Sequence, residues 1–255
     1  MEDLALFAHA LAGTRAFGRL LGTSRGSEVH ELEGVTATLV PNCSERSIVN
    51  SVYYDEVEEL AAALEEVGGL YAEAGVHRWA VWVPEWDRDA AELLERDGHV
   101  LDSEPAAMGL ALDRLPQLPP PPPDWERAED ASAVGPLNDL AYGYDGSFTR
   151  ALDGVPTHGL DVWVARHEDS PVTCLLTFDR DEDRHVTLVA TAPAARGRGV
   201  ASALLATALG DARDRGLWSS SLIASKMGAP LYERLGYRTV GTLQLWERRA
   251  ADVAR

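Results

Sequence analysis

The chain has 255 residues, 45% of them apolar and 25% charged, with a formal net charge of −18 at pH 7. This is the composition of an ordinary globular protein, long enough for two small domains with cores of their own. The acidic balance argues against nucleic acid, whose phosphates reward clustered Lys and Arg, and no apolar run approaches the ~20 residues of a membrane span. It suits solubility, and it would also draw in cationic amines.

The opening Met1-Glu-Asp-Leu is acidic where a signal peptide would be basic. Cys43 and Cys174 are the only cysteines, far apart and without metal-ligand spacing, so reduced buried thiols in a cytoplasmic, metal-free protein are expected. Asp55 is the predicted N-cap of a helix whose apolar face is Val57, Leu60, Leu64, Val67 and Tyr71. A strand follows at Trp79–Val83, then Leu93-Leu-Glu-Arg-Asp-Gly98-His99. Pro119 to Pro123 cannot continue a helix or a central strand, and in polyproline II form would hold their flanks roughly 15 Å apart. A domain boundary is therefore predicted here: a first domain over 1–115, a proline-rich linker over 116–124 and a second domain over 125–255. Pro116-Gln-Leu-Pro119 also fits a minimal SH3-ligand pattern, although a spacer is the simpler reading.

Beyond the prolines, Asp130 to Ala151 reads as helical with a break at Gly143-Tyr-Asp-Gly146. Strands are predicted at Asp161–His167, Val172–Phe178 and Arg184–Thr191, with a charged turn at Asp179–Asp183. The last strand runs into Arg196-Gly-Arg-Gly199 and a helix over Val200–Arg213. A strand, a glycine turn and a helix start in that order make an anion site, because the first helical amides lack partners and the helix dipole adds positive charge. A P-loop would need Lys-Ser/Thr where Val200-Ala201 stand, and a Rossmann loop would need a carboxylate near Leu217-Trp-Ser-Ser-Ser221. A glycine turn that merely joins strand to helix remains the plain alternative. A strand over Leu217–Ala224, a helix over Ala229–Leu235 closed by Gly236 and a strand over Thr239–Trp246 complete the pattern.

Arg196-Gly-Arg-Gly199-Val-Ala201, followed after one helix and one strand by Leu231-Tyr-Glu-Arg-Leu-Gly236-Tyr237, resembles the GNAT superfamily of acyl-CoA-dependent N-acetyltransferases. The resemblance covers about 125–248 and, more weakly, the first half. It implies a mixed α/β fold with a mostly antiparallel sheet flanked by helices, and transfer of an acetyl group from acetyl-CoA to a primary amine. It also implies direct attack in a ternary complex, without a covalent cysteine. Backbone groups of Val189, Ala190 and Thr191 would meet the pantetheine arm. Arg196, Gly197, Arg198, Gly199, Val200 and Ala201 would hold the diphosphate.

Tyr232 would protonate the departing thiolate, the alternative being an aromatic that packs on the sheet. His185 or Asp183 would serve as base, the alternative being two surface hairpin residues. The early helical region offers Asn138, Tyr142, Tyr144, Asp145 and Phe148; of these, Tyr142, Tyr144 and Asp145 are the expected amine cage, or else core aromatics beside a turn aspartate.

The two halves look alike. Leu93–His99 matches Leu231–Tyr237, and at the same offset Arg46-Ser-Ile-Val meets Arg184-His-Val-Thr and Trp79–Val83 meets Leu217–Ser221. Glu58-Glu-Leu-Ala61 stands opposite the glycine loop and Leu94 opposite Tyr232, so the expectation is two GNAT-like domains with a silent first one. The acceptor would be a small-molecule or peptide amine, and the protein a monomer or homodimer. A non-catalytic acyl-CoA-binding sensor of the same fold is the alternative, and a partner-binding module working through the prolines is a further one.

Overall fold

The computed structural model describes residues 2–249. In chain order the elements are α1 (Glu2–Leu21), β1 (Glu28–Leu32), β2 (Val35–Leu39), β3 (Ser51–Tyr54), α2 (Val57–Glu73), β4 (Arg78–Pro84), α3 (Arg88–Arg96), β5 (Val100–Ser103) and β6 (Ala106–Ala111). They continue with β7 (Trp125–Ala128), α4 (Val134–Tyr142), α5 (Ser147–Ala151), β8 (Asp161–His167), β9 (Ser170–Arg180), β10 (Asp183–Thr191), α6 (Val200–Asp214), β11 (Ser219–Ala224), α7 (Ala229–Arg234) and β12 (Arg238–Arg249). Two compact units divide them. One comprises residues 2–14, Ala106–Leu152 and Pro156–Gly241; the other comprises Arg15–Pro105, Asp153–Val155 and residues 242–249.

This division does not follow the proline run. Residues 116–124 join β6 to β7, two strands of the same unit. They lie along that unit as a strap, with Pro116 against Gly236, Leu118 beside Gly210 and Pro122 buried. The structural boundaries depend instead on strand pairing. β6, from the first half of the sequence, pairs along its whole length with β11 of the second half. The later part of β12, from the second half, pairs from Leu243 to Arg249 with β4 of the first. Each half thus supplies a strand that the other half's sheet requires.

In the first unit the sheet runs β6-β11-β10-β9-β8-β7 and is antiparallel except for β10 beside β11. One face packs on α6 and α7 through Leu204, Leu205, Leu209, Tyr232 and Leu235, set against Met108, Trp163, Leu175, Val186 and Leu222. Arg184, wholly buried, fixes the far end of α6. Its guanidinium holds Asp179 in a two-bond fork (2.8 and 3.1 Å) and donates to Ala208 O and Asp211 Oδ2, both at 2.8 Å. A buried charge needs such partners, and having them pins the helix to the β9–β10 hairpin. On the opposite face Gly13 of α1 lies so close to His185 that a methyl there would sit 2.1 Å from Nδ1.

In the second unit the order is β1-β2-β3-β4-β12, with β5 also on β12. Here β3 and β4 are parallel, but only Ser51↔Ala80 and Val52↔Val81 pair. The predicted face of α2 is the buried one, with Leu60, Leu64, Val67 and Tyr71 against Val35, Val52, Val81 and Val83. Its N-cap falls one residue later than expected. Asp55 is drawn to Arg15, while the Glu59 carboxylate accepts the Glu56 amide at 3.2 Å. Arg46–Val49 lie in turns rather than in a strand, so their match with Arg184–Thr187 is one of sequence alone. The other matched segments fall on α3 and α7 and on β4 and the start of β11.

Candidate functional site

The parallel pairing of β10 with β11 runs from Asp183↔Ser219 to Val186↔Leu222 and then stops. β10 continues to Thr191 against β9 alone, after a register shift between Thr187 and Ala190 in which Leu188 takes φ +50°. A non-glycine residue in the left-handed region marks a bulge, and the bulge bends the strand away from its neighbour. The Ala192 amide donates to Val172 O of β9 at 2.9 Å. Backbone groups alternate between the two edges of a strand, so those of Val189 and Thr191 face the opened edge. Of the three positions expected to meet an extended ligand, Val189 and Thr191 therefore turn their backbone groups to the opened edge, and Ala190 turns its own to β9.

The loop follows directly. Gly199 caps α6 at φ +77°, ψ 0°, and no side chain bonds to the helix start. A residue with a Cβ would be strained there, and a capping side chain would fill the place of an anion. The first intrahelical bond is Ala203 N–H to Gly199 O at 3.0 Å, so the amides of Val200, Ala201 and Ser202 point outward from the turn.

The two arginines differ. Arg198 is exposed and makes no hydrogen bond or ion pair among the described residues. Arg196, expected to face the diphosphate, is exposed as well but donates to Thr191 O (3.3 Å) and to Ala141 O of α4. Arg196 thus ties the loop to β10 and α4, and of the two Arg198 is the arginine without a protein partner among the described residues.

α4 packs against β9 and β10 next to the opened edge. Tyr142, in its last turn, donates its phenol to Val189 O at 3.1 Å, and Asn138 one turn earlier donates to Val134 O at 2.9 Å and Leu188 O at 3.4 Å. Tyr142 stacks on Tyr144 (5.8 Å between centroids) and Tyr144 on Phe148 (5.3 Å). Tyr142 remains 42% exposed while Phe148 is buried, so the aromatic row has a core end and a surface end. Asp145 accepts a bond from Ser147 Oγ at 3.0 Å. Asp139, which the sequence does not single out, receives the amides of Phe148 and Thr149 and the Thr149 hydroxyl, anchoring α5.

Residues 158–239 match the sequence model of the Acetyltransferase (GNAT) domain. That stretch holds β8 to α7, including the opened edge and the loop. It forms a GNAT domain. Among solved structures, a GCN5-related N-acetyltransferase from Kribbella flavida is 19% identical, with a TM-score of 0.66 over 96% of this chain and 98% of that one. One from Sphaerobacter thermophilus is 21% identical, with a TM-score of 0.60 over 85% and 76%. A tandem GNAT protein from the clavulanic acid biosynthesis pathway is 12% identical, with a TM-score of 0.62 over 94% and 89%. At these identities the likeness is one of fold. No curated protein matches the sequence significantly.

Within the GNAT domain Tyr232 lies on α7, buried, with its ring edge-on to Tyr237 at 5.9 Å. Its hydroxyl has no protein partner among the described residues. Burial pushes its pKa well above that of a free phenol, and the nearby Tyr142 phenol adds to the rise. Tyr237 is bound instead, sharing a 2.6 Å bond with Ser220 Oγ.

The expected bases lie elsewhere. Asp183 and His185 sit in the closed part of the ladder, and even His185, the nearer, is about 16 Å of strand from Ala190. Neither is a surface hairpin residue. Asp183 is buried and accepts the Ser219 and Ser221 hydroxyls at 2.6 Å each; burial raises its pKa against the pull of those bonds. His185, under Gly13 and 3.2 Å from Ser221 Oγ, is driven by burial down to about 3. Both groups thus lie in the closed part of the ladder, away from the opened edge, and burial leaves His185 a weak base. The bulge also turns His185 to the face opposite that of Thr191, because their β9 partners Phe178 and Thr173 are five residues apart, and α1 covers the His185 face.

Cys174 is buried, and its thiol is pushed up to about 12, which leaves it un-ionised at neutral pH. No group of His, Cys, Asp and Glu among the described residues is arranged to hold a metal ion. No helix among them is long and apolar enough to cross a membrane.

Proposed function

We propose that the chain transfers an acetyl group from acetyl-CoA to a primary amine of a small molecule or peptide, by direct attack within a ternary complex. The observation that carries this reading is the opened β10–β11 edge leading straight into a helix start with no side-chain cap. An extended arm bearing amides and a terminal diphosphate fits an unpaired strand edge followed by free helical amides. Val189, Ala190 and Thr191 would align the arm. Gly197, Arg198, Gly199, Val200 and Ala201 would hold the diphosphate, with Arg196 tying the loop to β10 and α4. Tyr142, Tyr144 and Asp145 would form the acceptor side.

In the reaction the amine nitrogen bonds to the acyl carbon and the C–S bond breaks. Tyr232 would give its proton to the sulfur, a role suited to a phenol that burial keeps protonated. Holding both reactants together replaces a bimolecular encounter with an effectively unimolecular one. With Asp183 and His185 remote, the amine would arrive neutral or lose its proton to solvent. The two units would be diverged copies of one αβ pattern, and only the loop-bearing one would bind the cofactor.

The test is calorimetry with coenzyme A on the intact chain and on Gly199→Val. The expected result is one site per chain, with affinity at least ten-fold weaker in the variant because a Cβ strains the cap. Absence of heat from the intact chain would refute the reading. Binding without thiol release for any amine in a broad panel would favour the sensor.

A further inference from the structure

Each of the two carbonyls that face the opened edge of β10 accepts a side-chain donor of the chain itself. Val189 O accepts the Tyr142 phenol and Thr191 O accepts Arg196 Nε. The same Arg196 reaches Ala141 O, so the last turn of α4 is fastened to the strand at two points. Just beyond lie Gly143 (φ +70°) and Gly146 (φ +84°), which enclose Tyr144 and Asp145 in a short segment between two left-handed turns. The Tyr142–Tyr144–Phe148 stack ties that segment to the ring that holds Val189.

We infer that Tyr142 is a positioning residue acting as a latch: its hydroxyl competes with the pantetheine arm for the Val189 carbonyl, so entry of the cofactor releases the α4–α5 turn that forms the acceptor wall. The inference rests on the acetyl-CoA reading. A carbonyl oxygen directs its best acceptor positions into the plane of its own peptide, and on a strand edge the outward one serves a ligand lying alongside. Tyr142 donates to this oxygen at 3.1 Å. An arm amide drawn to the same acceptor position competes with the phenol, whose bond has the net worth of one neutral hydrogen bond. Breaking it also disturbs the ring stack, whose far end, Phe148, is held in the core and whose middle, Tyr144, sits between the two glycines. The acceptor wall is thereby coupled to the cofactor.

The experiment compares the full-length chain with Tyr142→Phe, which keeps the ring and its stacking and removes only the hydroxyl. Calorimetry with coenzyme A is expected to show about five-fold tighter binding in the variant, the competitor being gone. Amide hydrogen exchange over 143–147 is expected to quicken in the wild-type chain when coenzyme A is added, and to be already quick in the variant without it. Equal or weaker affinity in Tyr142→Phe overturns the latch whatever the exchange shows. So does exchange over 143–147 that coenzyme A leaves unchanged or slows. No heat in either chain removes the cofactor reading and the latch together, whereas equal heats remove the latch alone.

Discussion

The β10–β11 pair and the β3–β4 pair share one pattern of parallel strands joined through a helix, and they differ in the chain beyond the last paired residue. After Val186 thirteen residues' worth of chain, Thr187 to Gly199, precede α6, enough for a bulge, an opened edge and a glycine loop. After Val52 only Tyr53 to Glu56 precede α2. The short version also closes its gap. The Tyr54 phenol donates to Asp87 Oδ2 at 2.6 Å, and the other oxygen of Asp87 caps α3 at the Ala90 amide. Where α6 offers free amides and an arginine, α2 starts among Glu56, Glu58 and Glu59. An open groove of about 360 Å³ beside it is lined by Glu33, Glu58, Glu59 and Glu66. A diphosphate would meet charge of its own sign there. The two pairs thus share a pattern and differ in loop length and loop charge.

The largest expected effect tests whether either half stands alone. Cutting the chain within 116–124 would deprive β4 of its partner from Leu243 to Arg249 and β11 of its partner β6. Neither fragment should show a cooperative melt by circular dichroism, and a stable, cooperative 1–116 fragment would contradict the reciprocal strand supply.

Next, Tyr232→Phe should lower turnover about 100-fold while leaving coenzyme A affinity within two-fold; the matching position in the other copy is Leu94, which has no proton to give. Wild-type turnover in that variant would remove the acid role.

A third test uses acid. His185 in one unit and His99 in the other are both buried and neutral, His99 down to about 4 chiefly through burial, against the pull of Asp97 Oδ2 at 3.2 Å from its Nδ1. The unfolded chain takes up these protons near pH 6.5 and the folded chain only near 3 to 4, so stability holds above pH 6.5 and falls as pH drops below it. Urea melts from pH 7 to 4.5 should lose roughly a few kcal/mol, and His99→Phe should flatten part of that slope; an unchanged slope would argue against a neutral, buried His99.

The smallest effect is that of Tyr54→Phe. It should cost about 1 kcal/mol in a urea melt and create no second coenzyme A site, because the glutamates remain. A second site appearing there would mean that closure of the gap, not charge, silences the first copy.

Most of the second half was legible because its elements carry strong local signals. The strand at Asp161–His167 matches β8, and Val200, Gly199 and Gly236 mark the helix ends where the turn chemistry demands them. The α2 face was equally plain. α1 was not read, because its buried positions Leu6, Phe7, Ala10 and Thr14 are interspersed with alanines and with glycines chosen for close packing. The contacts of Arg196 were also hidden, since its acceptors Thr191 O and Ala141 O are backbone atoms that any residue would supply.

By itself the sequence determined what depends on neighbours along the chain: the strand–loop–helix order, the glycines at positive φ, the anion-seeking helix start and the tyrosine one helix later. Only the tertiary structure decided what depends on residues far apart in sequence. Strand partners are chosen by backbone pairing that leaves no residue signature, so β6 and β12 could complete sheets on the far side of the proline run. Burial depends on what packs above a strand face, so α1 over His185 removed the expected base, and α4 over Val189 supplied an unexpected contact.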